Sequence, residues 1–297
     1  MIEQSIAFGK SGNLVGTICL PDTLSANTPS TNTGMVLFNA GVVHRIGPYR
    51  INVRLARQLA LRGIPSIRFD LAGQGDSERA PGGLSFEAQS VEDLNDALDA
   101  LNRAANVSRF ALFGFCSGGI HSYAAAQVDT RIAGIMLYDT FTYPTFRSWL
   151  KRYIDSIREK GFARAFGDWV ERRLPAPLRG ADAAEKNLPP TGPPNVGLYT
   201  IPTPAELARV LAQLHARGTR ICVAYAGSSF YYRYRKQFSD TFKPYGADKF
   251  VVVEYFEQMN HTATLIPQQQ QFMDYIANWS TKVAGIPERK VGANSGP

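Results

Sequence analysis

Phe110-Ala-Leu-Phe-Gly-Phe-Cys-Ser-Gly-Gly119 decides the fold. An apolar run of strand length ends in Gly114-Phe115-Cys116-Ser117-Gly118, and an Ala-rich helical segment, Gly118–Gln127, follows at once. This is a strand–turn–helix with the spacing G-x-S-x-G and a cysteine in the nucleophile slot. The glycines have a steric reason. A nucleophile held in a sharp strand-to-helix turn leaves no room for side chains two residues to either side, and Gly114 and Gly118 remove them. Cys116 would lie at a helix N-terminus, where the dipole and free N–H groups favour negative charge on sulfur. The N–H of Ser117 would point to a developing oxyanion. Taking Ser117 as nucleophile shifts the frame and puts bulky Phe115 where a small residue is needed, so Cys116 is preferred. Cys19 and Cys222 sit in apolar runs and read as inert core residues.

Outward from this stretch the chain alternates. On the N-terminal side, Ile6–Phe8 and Leu14–Leu20 read as two strands around a turn, Met35–Asn39 as a buried strand and Pro48–Leu61 as a helix stopped by Gly63. Pro65–Asp70 is the next strand, and Val91, Leu94, Leu98 and Leu101 mark a helix. On the C-terminal side Ile132–Tyr138 is a strand. Alternation resumes with helix Pro204–Arg217, strand Arg220–Ala226, helix Tyr231–Phe242, strand Phe250–Tyr255 and helix Pro267–Lys282. Strands separated by helices of this length give an α/β fold, a mostly parallel sheet with helices on both faces. Residues 1–139 and 203–282 form the core in this reading. Residues 140–202, basic and aromatic and then Pro/Gly-rich, are an insertion, and 283–297 a flexible tail.

Composition excludes several classes. The 297 residues are 44% hydrophobic and 19% charged, which is globular and not disordered. No stretch gives about 18 continuous apolar residues, so no membrane span is expected. The N-terminus lacks a basic-then-apolar leader, and three cysteines suggest no disulfide framework, so a cytoplasmic protein is expected. The net charge is +7, of which residues 140–180 carry +5. A charge confined to one segment argues against nucleic acid. It fits a solvated helical face or one anionic partner. There is no metal-ligand cluster and no dinucleotide fingerprint, so no cofactor and no metal are expected. Oligomeric state cannot be read from these features.

The motif and its surroundings resemble the α/β-hydrolase superfamily. Asn39–Arg50, Leu55–Leu59 and Arg68-Phe-Asp-Leu-Ala-Gly-Gln-Gly-Asp-Ser77 are similar to one branch, which includes serine-aminopeptidase-like and exosortase-associated hydrolases. The likeness covers residues 34–139 well and 203–282 more loosely. It implies an α/β-hydrolase fold with residues 140–202 as a helical lid. It also implies a second oxyanion N–H from the loop after the Met35–Asn39 strand, assigned by position to Val42. His44 and Arg45, in the same loop, would face the substrate; a loop-anchoring salt bridge is the equal alternative for Arg45. The base would follow the last strand, which selects His261 over His121 and His215. The usual place for the acid reads Tyr225-Ala-Gly-Ser-Ser-Phe230 and holds none. The other position used in the superfamily follows the strand after the elbow helix and gives Asp139, with Glu257 a weaker candidate and an acid-free Cys–His pair the rival.

Cys116, His261 and Asp139 would make an acyl-transfer enzyme working through a thioester on Cys116. Similar cysteine-bearing members are thioesterases or shuttles between carrier thiols. The resemblance therefore implies a biosynthetic thioesterase or acyltransferase with a small-molecule acyl substrate, presented by an acyl carrier protein or CoA. The alternatives are a small-molecule esterase or amidase and a non-catalytic binding protein of the same fold. Lid aromatics such as Phe146, Trp149, Phe162 and Trp169 would either wall an acyl pocket or pack the lid onto the core.

Overall fold

In the computed structural model, residues 1–22, 31–39, 41–161, 201–229 and 231–287 are described. The apolar runs pair side by side into one eight-stranded sheet. Its strands are β1 (Ile2–Phe8), β2 (Leu14–Leu20), β3 (Thr33–Phe38), β4 (Ser66–Phe69), β5 (Arg109–Phe115), β6 (Ile132–Tyr138), β7 (Arg220–Ala226) and β8 (Val252–Phe256), in the order β1-β2-β4-β3-β5-β6-β7-β8. β1 and β2 pair antiparallel, as do β2 and β4; every other pair is parallel. The middle strands β3, β4 and β6 are buried along their whole length. They need helices on both sides, which is why they read as continuous apolar runs rather than alternating ones.

Two layers of helix supply that cover. On one face α1 (Ile51–Leu61) and α7 (Ile266–Val283) bury Leu55, Leu59, Phe272 and Ile276 against Met35, Phe113 and Met136. On the other face α2 (Phe86–Ala105), α3 (Ser117–Val128) and α5 (Pro204–Ala216) bury Leu94, Leu98, Ala125 and Leu211 against Val36, Leu112 and Ile135. Truncating one of these leucines to alanine costs about 2–5 kcal/mol. α4 (Phe146–Lys160) leaves the core after β6, and the rest of the 140–202 segment, residues 162–200, lies outside the described residues, with Phe162, Phe166, Trp169, Arg172 and Arg173 among them. α7 runs to Val283; of the tail, residues 288–297 also lie outside the described residues.

Three elements differ from the sequence reading. The helix expected over Tyr231–Phe242 is helical only in α6 (Gln237–Phe242). Residues 231–236 are held open because the Gln237 amide donates to Tyr231 O and Tyr143 O while its carbonyl takes the Arg233 N–H, and the Tyr232 ring stacks on Tyr225 with centroids 3.7 Å apart. β1 begins at Ile2, four residues early, because its outer residues are exposed and polar yet pair with β2 from Leu20 onward. α2 begins at Phe86, where Ser85 caps it by accepting the Ala88 N–H.

Candidate active site

β5 delivers Cys116 to the turn before α3 with φ 53° and ψ −120°. A non-glycine residue in that region stores about 1–3 kcal/mol of strain, which the surroundings must hold. They do so by hydrogen bonds: the Cys116 N–H donates to Tyr138 O at 2.8 Å, and its carbonyl accepts Gly119 N–H at 3.1 Å and Thr140 Oγ1 at 3.0 Å. The glycines behave as the motif requires. A Cβ on Gly114 would strike the Gly119 backbone, and one on Gly118 would lie 2.9 Å from Asn39 O. Gly119 is needed as well, since its Cβ would strike Thr140 Oγ1. Sequence reasoning does not find Gly119 or Thr140, because their contact exists only once β6 lies beside β5.

Phe115 is buried and packs edge-on against His261, with centroids 5.1 Å apart, so a bulky residue one before Cys116 is accommodated. Ser117 is buried too, and its hydroxyl accepts the Gly41 N–H at 2.7 Å. That bond ties Ser117 Oγ to the loop after β3. Cys116 is half-buried, whereas Cys19 and Cys222 are buried in the sheet. Burial pushes the Cys19 thiol up to about 11 and the Cys222 thiol up to about 12.

His261 follows β8 and Asp139 follows β6, and the two strands flank β7 in the sheet. His261 Nδ1 donates to Asp139 Oδ2 at 2.7 Å, and the Cys116 side chain lies close enough to the imidazole to act on its charge. The Asp139 side chain is 3% exposed, and its other oxygen accepts Ala226 N–H at 2.9 Å. The Asp139 bond, then the neighbouring Cys116 thiol, raise the imidazole pKa to about 10 against the opposing pull of burial. The Tyr138 ring stacks along the imidazole 5.9 Å away. Glu257 is exposed, and the carboxylate that meets His261 is Asp139. The serines of the Tyr225–Phe230 loop serve otherwise. Ser228 Oγ accepts the His261 N–H at 2.9 Å, fixing the backbone of the histidine loop.

The remaining histidines lie apart. His121 is buried, bonds Ser90 Oγ through Nδ1 at 2.6 Å and packs edge-on to Phe86; burial lowers it to about 4. His215 is exposed on α5 and stacks on Phe250.

The loop after β3 puts Val42 next to the tethered Gly41, with its side chain 90% exposed. Arg45 turns inward. Its Nη1 donates to Asp70 Oδ2 at 2.5 Å and to Asp76 Oδ2 at 2.7 Å, and its N–H donates to Asp70 Oδ1 at 2.6 Å. Asn39 completes the buried knot, donating to Asp70 Oδ1 and Val43 O and accepting the Leu71 N–H. Arg45 thus makes the salt bridge that the loop-anchoring reading expects, to the Asp70–Ser77 turn; a Cβ on Gly75 would strike the Asp70 carboxylate. His44 is half-buried beside Asp76, at 3.3 Å. Among the described residues His44, Asp70 and Asp76 come together at metal-ligand spacing. The Arg45 guanidinium fills the place a cation would take, within 2.8 Å of His44 Nε2 and both carboxylates.

Known proteins match this geometry at the level of fold. A serine hydrolase without lid from Xanthomonas campestris superposes with a TM-score of 0.51 at 11% identity over 95% of this chain and 92% of its own. A thermophilic esterase from Thermogutta terrifontis gives 0.52 at 17% identity over 96% and 100%, and a serine hydrolase homologue from Coxiella burnetii gives 0.52 at 13% over 93% and 96%. No curated protein matches the sequence. Among the described residues no helix is long and apolar enough to cross a membrane. The profile of the alpha/beta hydrolase family matches residues 41–275, and the chain belongs to that family.

Proposed function

We propose that the protein is an acyl-transfer enzyme that carries its acyl group on Cys116, with a thioester of a small acyl group, presented by CoA or a carrier protein, as donor. The observation that carries this reading is the Asp139–His261 hydrogen bond with Cys116 beside the imidazole, the cysteine being set in a strained turn at a helix N-terminus. Asp139 fixes the Nδ1–H tautomer, leaving the other ring nitrogen for sulfur. An imidazole raised to about 10 rests as the imidazolium at neutral pH, poised to protonate a departing thiolate. A serine mechanism needs the neutral base at rest.

In the forward step Cys116 sulfur attacks the donor carbonyl. The resulting oxyanion takes the N–H groups of Ser117 and Val42. Collapse breaks the donor C–S bond, and the departing thiolate takes the proton from His261. In the second step His261 removes a proton from water or another acceptor, which attacks the Cys116 thioester. The Cys116–acyl bond breaks, and thiolate and imidazolium are restored.

The esterase reading uses the same residues and draws on the fold likeness to esterases. Intact-protein mass spectrometry after rapid mixing with a medium-chain acyl-CoA tests the proposal. The expected result is one acyl increment on the wild type, mapped to Cys116 and absent from Cys116→Ala. Turnover by Cys116→Ala would overturn the nucleophile. Fast cleavage of p-nitrophenyl esters with no thioester turnover would return the chain to the esterase reading.

A further inference from the structure

α4 is fastened to the core by its polar side. Ser148, 4% exposed, closes a capping box with Thr145, whose hydroxyl meets Tyr234 OH at 2.9 Å. Asp155 accepts from Arg233 Nη2 at 2.7 Å, and the Arg147 guanidinium lies over the Tyr234 ring, 4.6 Å from its centroid. The opposite side carries Phe146, Trp149, Leu150 and Ile154, whose spacing puts them on one stripe. All four are exposed, Phe146 by 87%. An amphipathic helix on a globular surface normally turns this stripe inward; here it faces out.

Charge and position narrow what the stripe meets. α4 holds Arg147, Lys151, Arg152 and Arg158 against Asp155. At about 100° per residue, Lys151 and Arg158 fall beside the apolar stripe. Low overall hydropathy, a Phe/Trp/Leu stripe and flanking Lys/Arg are the composition of a helix that lies in a bilayer interface. Two copies meeting through this face would bring like charges together. Other large exposed apolar side chains sit at the same end of the sheet: Val42 in the loop after β3, and Leu265 and Ile266 at the start of α7 after His261.

We propose that α4 is a membrane-surface helix that lays its Phe146–Ile154 stripe into an anionic lipid bilayer, with Lys151 and Arg158 at the headgroups. The attachment is peripheral and reversible, and it turns the Cys116 end of the sheet toward the lipid. The attraction of the flanking cations is screened by salt, while the apolar contact is not.

Co-sedimentation with vesicles tests this, comparing phosphatidylglycerol/phosphatidylcholine mixtures with phosphatidylcholine alone. The full chain should pellet with the anionic vesicles and much less with the neutral ones. Trp149→Glu combined with Leu150→Glu should weaken anionic-vesicle binding at least tenfold without lowering the melting temperature, since both side chains face out. Lys151→Glu with Arg158→Glu should weaken it less, and by an amount that shrinks as salt rises. Trp149→Phe should keep binding but remove the blue shift in tryptophan emission that the wild type shows on vesicles. Failure of the wild type to bind, or binding that the Trp149→Glu/Leu150→Glu variant retains, would overturn the proposal. So would a concentration-dependent dimer that Leu150→Glu abolishes in a chain that ignores vesicles, since the stripe would then belong to a second copy.

Discussion

Asp139 and His261, 122 residues apart in sequence, meet in a 2.7 Å hydrogen bond between Oδ2 and Nδ1. The carboxylate is pinned from behind, because its second oxygen holds Ala226 N–H at the end of β7. Asp139 itself has φ 50°, and its N–H is bonded to Ala224 O at 2.9 Å. The carboxylate is thus aimed by the central sheet, and the histidine loop comes to it.

Replacing Asp139 with Asn keeps the bond from Ala226 possible but removes the charge facing the imidazole. Under the proposed mechanism kcat should fall by about 10²-fold, the lower end for general acid–base catalysis, because a thiol needs less help than a hydroxyl. The His261 pKa should drop toward its ordinary value, seen as a leftward move of the basic limb of the rate profile. A melting curve close to wild type separates this from a folding defect. Activity retained in Asp139→Asn but lost in Glu257→Gln would move the acid to Glu257.

The raised histidine pKa also makes stability depend on pH. The folded state binds the His261 proton more tightly than the unfolded chain, whose imidazole titrates near 6.5. That contribution is fully present below about pH 6.5 and is lost as pH rises through about 10. The difference in urea midpoint between wild type and His261→Gln should therefore be largest at pH 6 and shrink steadily toward pH 10. The imidazole side chain is 40% exposed, so solvent screening keeps the effect well below what the full shift implies. A difference that grows with pH would mean that His261 rests neutral.

Thiol labelling should follow burial. Iodoacetamide should modify Cys116 first, because Cys19 and Cys222 are buried and their thiols are pushed up to about 11 and about 12. Peptide mapping after partial reaction reads the order directly. Cys222 labelled ahead of Cys116 would contradict the packing of β7.

Much of the fold and site is legible in the sequence because the decisive features are local. A strand, a glycine-flanked cysteine and a helix fall within ten residues, and the strand–helix alternation fixes the parallel sheet around them. His261 and Asp139 are reachable through the family resemblance, which implies a base after the last strand and an acid after the strand that follows the elbow helix. What cannot be read depends on pairing across the sheet. Ser228 holds the His261 backbone only because β7 and β8 end side by side. The open segment before α6 depends on Gln237 reaching Tyr143, 94 residues away. β1 reads short because a strand with an exposed outer half shows little apolar pattern; its Glu3 is instead held by Arg57 and Arg68.

Arg45 offers the sharpest separation of two roles. Asp70 is fully buried, and the Arg45 guanidinium is the charge nearest to it. Removing one partner of a buried pair costs about 3–5 kcal/mol, because the other charge is stranded. In Arg45→Ala the Asp70 carboxylate keeps three donors, Asn39 Nδ2, the N–H of residue 45 and Asp76 N–H, so the cost should lie near the bottom of that range. Asp76 is exposed, so Asp76→Ala should cost under about 1 kcal/mol. The urea midpoint should therefore fall strongly in the first variant and little in the second. If enough Arg45→Ala folds to assay, its KM should be near wild type, because the side chain points into the loop anchor. A raised KM at an unchanged midpoint would instead make Arg45 a substrate ligand and leave the buried knot to Asn39.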